Sequence, residues 1–141
     1  MFRSIAALVA LTLVAIPAAA EAKVLRGKTS QGRSVALVLQ NGVPKRMKIS
    51  WTVACKKSKS TGPTSTRFFR PYDQATTDVL NDADSVSRTY AKNLRVRNSA
   101  KLAGTRAGEA WSGTFSIKRS FYRKGKKFDE CRADNVTWSV Q

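Results

Sequence analysis

Histidine is absent from all 141 residues. That removes the side chain that most often serves as a general base near neutral pH, and with it any Ser-His-Asp triad. It also removes the commonest zinc ligand. No Ser-x-x-Lys motif offers an alternative route to an activated serine. Neither a Walker-type loop nor Gly-x-Gly-x-x-Gly occurs, so no cofactor is expected. Acids are scarce: 9 Asp and Glu stand against 26 Lys and Arg, a formal net charge of +17. Cysteine occurs only twice, at Cys55 and Cys131. Two thiolates without histidine are too few for a metal centre, so none is expected.

Long apolar runs are missing too, except at the start. Arg3 precedes a twelve-residue apolar run, Ile5 to Ile16, that ends at Pro17. This is short for a membrane span and has the length of a secretory h-region. Ala18-Ala19-Ala20 and Ala20-Glu21-Ala22 both satisfy a small-x-small cleavage rule, so cleavage is expected after Ala20 or Ala22. Residues 1–22 read as a signal peptide and 23–141 as a single domain, secreted or held in the cell envelope. In an exported chain the two cysteines are expected to form one disulfide, two buried thiols being the alternative.

The rest of the chain alternates with a period of two. Arg33–Leu39 and "MKISWTVAC" (47–55) read as strands, with Met47, Ile49, Trp51, Val53 and Cys55 on one face. Asn41-Gly42 between them signals a hairpin. A five-residue loop, 40–44, pairs Leu37 with Met47 and Val35 with Ile49, and suits Pro44, which cannot donate to a ladder. Strands are expected again over Leu94–Leu102, around Trp111–Ile117 and at Val136–Val140, with turns at "GTRAGE" (104–109) and "YRKGKK" (122–127). The acidic stretch 71–87 suggests one helical turn or a long loop. The pattern as a whole predicts an all-β antiparallel β-sandwich, or a partly closed barrel. Its core should contain Val35, Leu37, Met47, Ile49, Trp51, Val53, Val96, Leu102, Trp111, Phe115, Ile117, Val136 and Trp138.

"GKTSQG" (27–32), the first hairpin, the cysteine closing the third strand, "SGTF" (112–115), and a late cysteine before "VTW" (136–138) together resemble a type of small secreted bacterial protein familiar from actinobacterial genomes. That group is functionally uncharacterised. The resemblance implies a β-sandwich and export, and no activity.

Two functional readings follow. Lys118, Arg119, Arg123, Lys124, Lys126 and Lys127 crowd one stretch, and Lys56, Lys57 and Lys59 follow the other cysteine. A Cys55–Cys131 bond brings the two segments together, with Cα atoms expected about 5–6 Å apart. Such a patch concentrates polyanions, and a non-catalytic module contacting an anionic envelope polymer or partner is the first reading. Arg95, Arg97 and Lys101 are expected on another strand face, outside that patch. The second reading is a small carboxylate-dependent hydrolase of envelope polysaccharide, with Glu109 beside Trp111 as its best acid. An inhibitor of another secreted protein is a variant of the first. Clustered oxygens at Asp78, Asn81, Asp82 and Asp84 hint at calcium but lack the EF-hand glycine and closing glutamate.

Overall fold

Period-two patterning in a chain with little helix-compatible periodicity leaves strand pairing as the way to satisfy the backbone. The computed structural model describes residues 19–58 and 64–141, and within them every regular element is a strand. These are β1 (Ala22–Thr29), β2 (Ser34–Gln40), β3 (Val43–Trp51), β4 (Ala54–Cys55), β5 (Thr64–Phe69), β6 (Gln74–Ala75), β7 (Val79–Tyr90), β8 (Leu94–Ala107), β9 (Ala110–Arg123) and β10 (Lys126–Val140). All pair antiparallel in one sheet of order β5-β3-β2-β1-β10-β9-β8-β7-β6, with β4 added to β10.

The sheet curls so that its two halves face each other. Phe68 on β5 and Phe115 on β9 lie far apart in the strand order, yet their rings meet edge-on with centroids 6.2 Å apart. The apolar concave side is the core, and all thirteen core residues expected from alternation are buried in it. The two layers are halves of one sheet, so the form is the partly closed barrel. Its free edges are β5 and the β7–β6 side.

The first hairpin reconciles two signals that compete in the sequence. Val35 faces Ile49 and Leu37 faces Met47, as the hydrophobic pattern requires. The connection is nevertheless tight, because Gln40 pairs with Val43 across Asn41-Gly42. Both turn residues have left-handed φ (52° and 76°), the geometry that matches strand twist. A register shift between Val38 and Leu39 absorbs the difference: Val38 faces Arg46 and Leu39 faces Pro44, leaving Lys45 as the extra residue. The expected five-residue loop is thus replaced by a two-residue turn and a bulge.

Three further expectations are corrected. The acidic stretch is neither helix nor loop from residue 79 onward, because β8 offers a complete edge and β7 pairs along it from Val79↔Thr105 to Tyr90↔Leu94. Local helical character loses to that ladder. "GTRAGE" is mostly strand, since β8 and β9 stay paired to Ala107↔Ala110 and only Gly108-Glu109 turn. The "YRKGKK" turn narrows to Lys124-Gly125, between Arg123 and Lys126.

Gly104 and Gly113 face each other across β8 and β9. A Cβ on Gly104 would lie 2.6 Å from Cζ2 of Trp138, so this glycine is the slot for the buried indole.

Cys55 and Cys131 are bonded, as expected, and sit opposite each other in the β4–β10 pair. Their Cα atoms are 3.9 Å apart, closer than the about 5–6 Å expected for the bond. Of the expected signal segment 1–22, residues 1–18 lie outside the described residues. Glu21 accepts from the Asn41 N–H at 3.0 Å and Ala22 pairs with Gln40. Cleavage after Ala20 would keep both contacts. Among the described residues no helix is long and apolar enough to cross a membrane.

Candidate functional site

The stretch from Phe121 to Cys131 forms a latch around two buried acids. The Asp129 carboxylate accepts from the Lys57 N–H (3.0 Å), the Ser58 N–H (3.2 Å), the Ser58 hydroxyl (2.5 Å) and the Glu130 N–H (2.8 Å). These donors, the Ser58 hydroxyl first, hold it below the ordinary carboxylate range. Glu130 accepts from Lys127 Nζ at 2.8 Å and Arg132 Nε at 2.6 Å, and its side chain is only 4% exposed. Those two cations, Lys127 first, pull its pKa down to about 2. Asp129 thus secures the segment after the disulfide, and Glu130 pins two cations to the sheet.

Glu130 contributes stability that is present above about pH 4.5, its ordinary value, and lost as pH falls toward 2. Thermal unfolding should therefore show the wild-type chain losing more stability between pH 6 and pH 2.5 than Glu130→Gln does. The two should converge at the acid end. Parallel curves would mean that the carboxylate contributes nothing beyond what a neutral amide supplies.

Of the nine cations expected to form one patch, the eight among the described residues do not share a face. Register places Lys118 opposite Arg132, and Tyr122 opposite both Lys127 and Arg95. These side chains stand on the convex side, where Arg97 lies opposite Ser120 and Ser120 opposite Glu130. Arg119 belongs to the concave side: its Nε donates to Asn98 Oδ1 at 2.9 Å, and its guanidinium lies 5.3 Å from the Trp51 ring centre. Arg123 and Lys126 are partners at the β9–β10 hairpin end, where Arg123 covers the Phe128 ring at 5.2 Å, and Lys124 is in the turn. Lys56 and Lys57 are exposed beside β10, and the Lys56 N–H donates to the Glu130 carbonyl at 3.0 Å. Lys59 lies outside the described residues.

Arg95, Arg97 and Lys101 were expected apart from the patch, and here the register reverses the reading. All three are exposed on the same convex face as Lys118, Lys127 and Arg132. Arg95 stacks on Tyr122 at 4.7 Å, and Arg97 Nε donates to Ser85 Oγ at 3.2 Å. This six-cation cluster on β8, β9 and β10 includes Arg132, which sequence proximity alone did not mark. Counting strand register outward from the Gly108-Glu109 turn would have joined Arg95, Arg97 and Lys101 to Lys118, whereas Arg132 reaches this face only through the register shift between Lys127 and Asp129.

The concave side also carries a cleft of about 320 Å³ at the open end of the curl. Arg67 of β5, Arg88 of β7 and Arg119 of β9 line it with Trp51 and Tyr90. Asp84 is the one carboxylate in that lining. The pair of facing acids that a glycosidase needs is therefore not assembled there. Glu109 sits exposed in its turn, 3.6 Å from Lys23 Nζ, and the Trp111 indole beside it in sequence is fully buried and unavailable as a sugar platform. The calcium hint also disperses. Strand alternation turns Asn81 away from Asp82 and Asp84, and Asn81 Nδ2 donates to Gln74 Oε1 at 2.9 Å. Asp82 titrates above the ordinary range, first through burial and then through the charges of Asp73 and Asp84. Cys55, Asp129 and Cys131 do approach one another, but both thiols are spent in the disulfide and Asp129 is engaged by N–H and O–H donors.

No protein-family model, curated protein or solved structure matches the chain. What can be stated from the geometry is the class: an all-β domain of one curled antiparallel sheet, stapled by a single disulfide, with a basic convex face.

Proposed function

We propose that this is a non-catalytic module of the bacterial cell envelope or its exterior, exported by its N-terminal segment, that holds an anionic envelope polymer against its convex face. The supporting observation is the row Arg95, Arg97, Lys101, Lys118, Lys127 and Arg132 on adjacent strands, with Glu130 sunk among them. Strands spaced about 4.8 Å apart put these charges within reach of successive phosphates or carboxylates on one flexible chain. Arg95, its guanidinium 4.7 Å from the Tyr122 ring centre, is positioned for a bidentate contact. The hairpin-end cations Arg123, Lys124 and Lys126 add field without adding to the row.

Binding to such a polymer releases counterions. With DNA as a reference polymer, six contacts would cost on the order of 10³ in affinity between 50 and 200 mM salt. Changing Arg95, Arg97, Lys101 and Lys118 to serine should flatten the salt slope by roughly four contacts at about 0.9 each. The triple change at Arg123, Lys124 and Lys126 should flatten it less per charge removed. Teichoic acid and DNA titrations at both salts read this directly. Equal loss per charge from both sets would mean that total charge drives contact, and no binding at 50 mM would remove the proposal.

A further inference from the structure

β7 is an edge strand with an unusual exposure. Its partner β6 covers only Asn81 and Leu80, and every residue from Ala83 to Tyr90 is exposed, on both faces. Two of the large apolar side chains left in solvent, Val86 and Tyr90, lie on this stretch. The edge has no proline, bulge or lysine, and its two charged side chains, Asp84 and Arg88, carry opposite signs. The opposite edge, β5, is half as long at 6 residues against 12 and runs directly into Arg70-Pro71.

The hydrogen-bonding groups of this edge can be assigned by parity. The Ala83 N–H points away from β8, since it donates to Asp73 Oδ2 at 3.0 Å, and β7 pairs with β8 without a register shift. Backbone groups alternate sides along an antiparallel strand, so Ser85, Ser87 and Thr89 also present their N–H and C=O to the open edge. The side chains around this edge read Ala83, Asp84, Ser85, Val86, Ser87, Arg88, Thr89. Reversed about Val86, Ser85 exchanges with Ser87, and Asp84 exchanges with Arg88 of opposite charge.

We propose that β7 is a self-association edge, on which two copies of this chain pair antiparallel about a two-fold axis through Val86. In that register Ser85 and Ser87 of the two copies exchange both backbone hydrogen bonds. Val86 meets Val86, and Asp84 of each copy stands opposite Arg88 of the other on the concave side. The pattern satisfies what an isologous interface demands, with each residue facing the image of its complement. Non-hydrogen-bonded positions bring cross-strand side chains closest, and the two Asp84–Arg88 pairs fall at such positions. Opposite charges directly opposed favour the pairing, and like charges disfavour it.

The test uses the chain from Glu21 onward, which contains every strand of the described residues, at 0.5 M salt to screen repulsion between two strongly basic copies. Sedimentation should show a concentration-dependent doubling of mass. Ser87→Pro removes an N–H from the open edge while leaving the β7–β8 ladder its bonds, and should abolish the doubling with little change in the monomer's unfolding midpoint. Asp84→Arg and Arg88→Asp should each weaken self-association by at least about tenfold, because two favourable pairs become repulsive. Mixed in equal amounts, these two variants should recover a dimer containing one copy of each. A wild-type chain that stays monomeric up to millimolar concentration overturns the proposal. So does a dimer indifferent to all three changes, or a mixture that does not recover.

Discussion

Replacing Cys55 and Cys131 together with alanine is expected to lower the unfolding free energy by about 4 kcal/mol. The bond ties residues 76 apart in sequence, and constraining a loop of that length in the unfolded chain is worth roughly 4.5 kcal/mol in the chain-entropy picture. Small domains have only about 5–15 kcal/mol in total, so this one link accounts for a large share. The native contacts around it add to the loss. β4 has just two residues, and its continuation is held by the Asp129 bonds to Lys57 and Ser58. Once the sulfurs no longer tie β4 to β10, those bonds must hold the segment alone. Urea unfolding of the double variant, with and without Asp129→Ala, measures both parts. A loss under about 1 kcal/mol would mean that the unfolded chain is already compact about this pair.

Gly113→Ala should be comparably severe. The new Cβ would stand 1.9 Å from the Ala103 carbonyl oxygen and 2.7 Å from the Gly104 Cα, both backbone atoms of the neighbouring strand. No rotamer relieves such a contact, so β8 and β9 would have to separate where the Trp138 ring fills the slot. Overpacking usually costs about 1–3 kcal/mol, and a backbone collision should reach or pass the upper end. Gly42→Ala supplies the comparison. There only the left-handed turn resists, at about 1–2 kcal/mol, and the added methyl finds just Thr77 Cγ2 at 3.8 Å. Thermal unfolding should rank the two clearly. A Gly113→Ala chain as stable as Gly42→Ala would show that the β8–β9 spacing is softer than it looks.

The sequence exposed the core better than the surface, for a physical reason. Burial of one face of each strand writes a period-two pattern, and that pattern located Val35, Met47, Trp111 and Trp138 without knowledge of their partners. Residues buried by a neighbour's arrival carry no such mark. Leu80 is fully buried and Phe68 nearly so, yet Leu80 sits in an acidic polar stretch and Phe68 beside an exposed Phe69. The Lys45 bulge was also hidden, because turn type and hydrophobic register each argued for a different loop and only their sum needs an extra residue. The cationic row failed to show itself for a related reason. Nearness along the chain grouped Arg119 with Lys118, whereas strand alternation sends them to opposite sides of the sheet.

The caged Glu130 has a consequence for how the convex face responds to its surroundings. Every cation in that row is a lysine or an arginine. The acid among them remains ionised until about pH 2, and no histidine exists anywhere in the chain to titrate between. The face therefore carries no imidazole and no loosely held acid that could switch its charge near neutral pH. Should a polymer detach from it as the medium acidifies, the proton will have gone to the polymer.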